Sequence, residues 1–157
     1  MNHVSCQALY STAAHHLPLG AALELRHQFN PQFTRWDLYQ SADAQSLVKA
    51  HDISHLIFGC DTGLLGEMQV QLWSKFAEQP MGLRAMIRHA RDKDSRVLLK
   101  NPVGYQKMAI FFIKNFSEVK RIRIKCAAMK KKWAYFDKEK YSTTSMGEIR
   151  ASHGIVL

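Results

Sequence analysis

The chain is poor in the features that would place it outside a reducing compartment or across a membrane. It has three cysteines in 157 residues, Cys6, Cys60 and Cys126. The number is odd, the spacing wide and no C-x-x-C pair occurs, which argues against a disulfide framework. No run approaches the ~18 apolar residues of a spanning helix. Residues 1–23 lack Asp, Glu, Lys and Arg altogether. His3, Gln7, His15, His16, Pro18 and Gly20 nevertheless interrupt that segment and no basic region precedes it, so neither a signal peptide nor a membrane span is expected there. G-x-x-x-x-G-K-[ST] and G-x-G-x-x-G are both missing, which leaves a nucleotide phosphate loop unsupported, and no repeat of solenoid length occurs.

Acidic residues are scarce in one segment only. Between Lys100 and Lys140, 12 basic residues stand against 3 acidic ones, while the rest of the chain carries 10 of each. The formal charge of +9 therefore resides in that segment. Such a block calls for a polyanionic neighbour, either an anionic membrane surface or nucleic acid. With 46% hydrophobic residues the chain is long enough for one domain with a core and too short for two. The expectation is a single domain over 1–157, soluble or peripheral at a membrane, in the cytoplasm.

Helical periodicity dominates. A short apolar helix is expected around Ser5–His15 and a second from Ala21 to Phe29, stopped by Asn30-Pro31. His15, His16 and His27 are left as surface or hydrogen-bonded core residues. A loop over Pro31–Ser41 leads to a cap at Ser41 or Asp43, and a helix then runs through Ala44–Phe58 to Gly59, a candidate left-handed C′ residue. Asp61 or Thr62 would cap the next helix, which Pro80 ends. Its apolar stripe is Leu65, Met68, Leu72 and Phe76. A helix over Gly82–Lys93 carries Met86 and Ile87 opposite Arg84, Arg88 and Arg91. After Asn101-Pro102 and Gly104, a stripe from Tyr105 through Phe112 and Ile113 to Phe116 marks an apolar helix for a core or for lipid. Lys120–Lys125 alternates basic and apolar residues as a strand or interfacial segment would. Cys126–Phe136 reads as a basic helix, and 142–157 as a mobile tail. The fold class is all-α, a helical bundle.

The chemistry concentrates at His51-Asp52-Ile53-Ser54-His55. At about 100° per residue, His55 lies near 40° and Asp52 near 100° from His51, so one helix face can present all three. A hairpin turning at Gly59-Cys60-Asp61 brings His55, about 6 Å of helix before the turn, level with Glu67, about 7.5 Å after it. Glu67 shares its own face with Gln71, Ser74, Lys75 and Glu78, which puts the site at the rim of the hairpin. His51, Asp52, His55 and Glu67 are the candidate metal ligands and catalytic residues. Two imidazoles and two carboxylates suit one divalent ion, Zn²⁺ first, with Fe²⁺ or Mn²⁺ also compatible.

H-D-x-x-H followed by eleven residues and Glu resembles the signature of the ubiquinone-biosynthesis family known as coenzyme Q biosynthesis protein four. Leu56 to Gly59, Thr62, Leu65-Gly66-Glu67 and Gln79-Pro80-Met81 are also similar, and Leu17-Pro18-Leu19-Gly20 more faintly so. The resemblance centres on 30–81 and stops by Ser95. It implies a metal-dependent protein acting on or carrying a prenylated benzenoid acid, with ring decarboxylation and hydroxylation chemistry or a scaffold role. It also implies docking on a membrane, with other quinone-pathway proteins or a second copy of the chain as partners. Three rivals stand beside it. A zinc peptidase would need Glu in place of Asp52. An HD-type metal phosphohydrolase would use the His51-Asp52 dyad, with His16, His27 and Asp92 as weak further candidates. A basic module binding membrane or nucleic acid would have no chemistry of its own.

Overall fold

The computed structural model describes residues 6–30, 38–80, 82–95, 105–134 and 138–157. The helices are α1 (Cys6–Leu9), α2 (Leu19–Phe29), α3 (Ala42–Phe58), α4 (Leu64–Ala77), α5 (Leu83–Arg91), α6 (Tyr105–Lys114), α7 (Phe116–Ala127) and α8 (Met146–His153). Short 3₁₀ turns occupy Thr12–Ala14 and Lys138–Tyr141. Among the described residues extended pairing is limited to two isolated bridges, Pro18 with Ser145 and Glu78 with Trp133, so the all-α class holds. No helix there is long and apolar enough to cross a membrane.

The bundle is arranged around α3, which packs against α2, α4, α5 and α8. Every residue from Asp52 to Phe58 is buried, as expected for a helix enclosed on all sides rather than one with a single apolar stripe. Ser41 caps its start, accepting from Ala44 N at 3.2 Å, and Gly59 ends it at φ 67°. A Cβ on Gly59 would stand 2.6 Å from the Tyr10 carbonyl, so both the turn and the close approach of the chain just after α1 require glycine.

The structure departs from the sequence expectations at several elements. The helix over 5–15 is broken at Ser11, whose hydroxyl donates to Ala8 O at 2.8 Å and accepts from Ala13 N at 3.1 Å, competing with continued helix. Most of the loop expected over 31–41 lies outside the described residues. In α4 the stripe shifts: Met68, Val70, Leu72 and Trp73 are buried, whereas Leu65 is exposed. Helix α5 forms, but Met86 and Ile87 face solvent while His89 is buried, and a largely exposed Arg88 Nε pairs with Asp43 on α3 at 2.7 Å.

The basic segment differs most. Lys120–Lys125 is helix, not strand, because Val119, Ile122 and Cys126 follow the 3.6-residue period and pack inward. Of the basic helix expected over 126–136, the described residues 128–134 are not helical: α7 stops at Ala127, and Trp133 is drawn into extended pairing with the end of α4. There Trp133 N donates to Ala77 O at 2.9 Å and Gln79 N to Trp133 O at 2.8 Å, with the indole fully buried. The segment expected as a mobile tail instead builds α8, with a capping box between Ser145 and Glu148 and with Met146, Ile149, Arg150 and His153 in the interior.

Candidate metal centre

The turn of the α3–α4 hairpin brings three side chains into one cluster. His51 Nε2 lies 3.3 Å from Glu67 Oε2, His55 Nε2 lies 3.1 Å from Glu67 Oε1, and the two Nε2 atoms are 3.1 Å apart. His51, His55 and Glu67 form a group that could hold a metal ion. Ligand atoms about 2.0–2.2 Å from a tetrahedral ion stand about 3.3–3.5 Å from one another, close to the separations found here. His55 is fully buried, while the side chains of His51 and Glu67 are 39% and 30% exposed. The site therefore has a closed floor and an open rim.

Two local features place these donors. Gly66 sits where a Cβ would fall 2.1 Å from the Asp61 carbonyl oxygen, so the first turn of α4 lies tight on the loop and Glu67 is carried up against α3. Asp61 Oδ1 accepts from Gly63 N at 2.9 Å and holds that loop. On the α3 side, His55 Nδ1 is 2.9 Å from the Cys60 carbonyl, which can only accept. Nδ1 therefore carries a proton and donates to that carbonyl, which turns Nε2 toward His51 and Glu67. A carbonyl behind a ligand imidazole is the usual device for fixing its tautomer and orientation. Burial raises the Cys60 thiol far above its ordinary value, so this residue contributes its carbonyl and not a thiolate.

Electrostatics point the same way. Burial alone would raise the Glu67 carboxyl, but hydrogen bonds from His51 and His55 outweigh it and hold the group well below the usual carboxylate range. An ionised carboxylate then faces two imidazole nitrogens at hydrogen-bond distance. Such a cluster needs cationic charge at its centre, supplied by protons or by a metal ion.

Asp52, expected as a fourth ligand, is outside the cluster. Its Oδ1 pairs with Arg26 Nη1 at 2.9 Å and its Oδ2 with His27 Nε2 at 3.0 Å, with all three side chains buried. The reason is rotational: at ~100° from His51, Asp52 points to the α2 side of α3 while the histidines point to the α4 side. His27 thus has a structural partner, and Asp52 fastens α2 to α3. The same placement counts against a phosphohydrolase, whose dyad aspartate must reach the metal.

Sequence reasoning missed Arg150. It is buried in α8 and donates from Nη2 to Leu56 O at 2.6 Å and from Nε to Ile57 O at 3.0 Å, with Nη1 3.3 Å from Ser11 O. These are last-turn carbonyls of α3, which have no intrahelical partner. Burial pushes the guanidinium down to about 10, still far above neutral pH, so Arg150 sets a full positive charge at the negative end of the helix dipole. Compared with protein-family models, with curated proteins and with solved structures, the chain matches none.

Proposed function

We propose that the protein is a metal-dependent member of a quinone-biosynthesis route, binding the head group of a prenylated benzenoid acid at His51, His55 and Glu67. The observation that carries this reading is the convergence of two imidazoles and one carboxylate on a half-open rim. Three protein donors with one side open are the arrangement of a catalytic rather than a structural site, which would close all four positions. Asp52, tied to Arg26 and His27, leaves the fourth position to water or substrate. When bound, a divalent ion supplies Lewis acidity toward a substrate carboxylate or ring oxygen.

The chain's own residues do the rest. His55, locked by the Cys60 carbonyl, gives a fixed donor at the floor. His51 and Glu67, at the rim, stand where an incoming head group would meet them. The reaction class implied by the resemblance is replacement of the ring carboxyl group, which leaves as carbon dioxide, by a hydroxyl group whose oxygen an external two-electron oxidant such as dioxygen must supply, and a carrier role is the non-catalytic form of the same proposal. Zn²⁺ fits the donor set, and Fe²⁺ or Mn²⁺ fit it as well.

The test is to incubate a prenylated 4-hydroxybenzoate-type acid with the wild type and with His55→Ala, following both lipid retention and loss of the carboxyl group. Retention by both proteins with turnover by the wild type alone supports the enzyme. Retention without turnover by either supports the carrier. If the wild type retains no prenyl lipid, the quinone reading fails.

A further inference from the structure

Where α6 meets α7 the chain shows solvent a surface that neither the metal cluster nor the core explains. The two helices are separated by Asn115, whose N makes the last bond of α6, to Phe111 O at 2.8 Å, and whose backbone at φ −117° and ψ 37° leaves the helical region. At the end of α6 Ile113 is 78% exposed, and on α7 Phe116 is 70% and Ile124 59% exposed. Taking Phe116 as 0° and about 100° per residue, Lys120 falls near 40°, Arg123 near 340° and Ile124 near 80°, so apolar and basic side chains share one face of α7. The opposite face is committed: Ile122 is fully buried, Val119 and Cys126 pack on the core, and Glu118 Oε1 accepts from Gln69 Nε2 of α4 at 2.7 Å. The orientation of α7 is thus set from inside, and the outer face is left over.

We infer that the outer face of the α6–α7 elbow, centred on Ile113, Phe116, Lys120, Arg123 and Ile124, docks the protein on an anionic lipid bilayer. Charge complementarity selects the occupant. Residues 110–134 contain eight Lys or Arg against a single acidic residue, Glu118, and Glu118 is already engaged by Arg121. Lys131 and Lys132 extend the exposed basic surface just beyond the end of α7. A phosphate backbone would use the cations but has no use for exposed isoleucine and phenylalanine. A bilayer uses both, since apolar side chains enter the acyl boundary while Lys and Arg meet anionic headgroups. This inference is independent of the metal cluster and of any substrate.

The experiment is co-sedimentation of the full chain with large unilamellar vesicles of phosphatidylcholine, with or without phosphatidylserine. The wild type is expected to partition onto the anionic vesicles and much less onto the neutral ones. The double variant Lys120→Glu, Arg123→Glu is expected to weaken partitioning by about tenfold or more, given roughly fivefold per cation near the surface. Phe116→Ser is expected to weaken binding while leaving its salt dependence in place, and Phe116→Trp to report entry by a blue-shifted emission on anionic vesicles. All these positions are exposed, and circular dichroism checks that the variants fold. Leu83→Ser, Met86→Ser in α5, a second exposed apolar stripe, is expected to bind as wild type. The inference is overturned if the elbow variants bind vesicles like the wild type, or if the α5 variant alone loses binding. It is equally overturned if the wild type ignores lipid charge yet binds duplex DNA in the same salt, or if Phe116→Ser merely dissolves a homodimer.

Discussion

Cys60 accepts a hydrogen bond from His55 through its carbonyl at 2.9 Å, so the loop that ends α3 also decides which nitrogen of His55 faces Glu67. The link runs from a glycine to a ligand: Gly59 in the left-handed region turns the chain, the turn places the Cys60 carbonyl, and the carbonyl fixes the imidazole. Gly59→Ala should cost about 1–3 kcal/mol through backbone strain alone, with the Tyr10 contact adding to it. Metal affinity should fall beyond the loss of stability, because imidazole orientation is typically worth about 10–100-fold. Isothermal titration with Zn²⁺ beside denaturant unfolding separates the two.

The cluster itself predicts the metal stoichiometry. Protein purified without chelator should carry about one divalent ion per chain. His51→Ala, His55→Ala and Glu67→Ala should each deplete it, as read by native mass spectrometry and elemental analysis. Glu67→Ala is the sharpest of the three, since this residue alone brings charge from α4. Wild-type metal content in all three variants would remove the site.

Asp52 should behave in the opposite manner. Asp52→Asn leaves the buried Arg26 and His27 without their carboxylate, and breaking a buried pair of this kind costs about 3–5 kcal/mol. Metal stoichiometry should stay near one under conditions where the variant is folded. If Asp52→Asn strips the metal without lowering the unfolding midpoint, Asp52 is a ligand after all.

Arg150 offers a stability test at a distance from the cluster. Arg150→Met abandons the Leu56 and Ile57 carbonyls in the interior, at about 1–3 kcal/mol for each unmet buried group. The expected drop in Tm is about 5–15 °C. Arg150→Lys should recover only part of it, because one ammonium cannot match the planar fork that reaches both carbonyls.

Stability should rise with pH across the weakly acidic range. Burial lowers the pKa of His153, against a hydrogen bond to Ile149 O that raises it, and burial lowers His15 and His89 as well. Between each depressed folded value and the ordinary unfolded value of about 6.5, the unfolded chain binds a proton that the native one refuses. Acidification through that window therefore favours unfolding, and above it the penalty is absent. His153→Gln should flatten the slope of unfolding free energy against pH. An unchanged slope would mean that His153 takes no part.

The helix ending at Gly59, its cap at Ser41 or Asp43 and the i, i+4 spacing of His51 and His55 are local properties that the sequence alone carried, and the structure chose Ser41 as the cap. The placing of Glu67 within reach follows from hairpin arithmetic for the same reason. What needed tertiary structure is every choice between two faces of one helix. Asp52 is as metal-capable as Glu67, and only the presence of Arg26 and His27 on α2 shows that its carboxylate is taken. Met86 and Ile87 stand opposite the arginines of α5 by periodicity, yet they face solvent and it is His89 that is buried. Arg150 falls in the segment expected as a mobile tail and Trp133 in the expected basic helix because their partners lie far away in sequence, Leu56 and Ile57 for the one and Ala77 and Gln79 for the other. Periodicity reports which residues share a face. Which face is buried depends on the neighbour that arrives from elsewhere in the chain, and no local pattern contains that information.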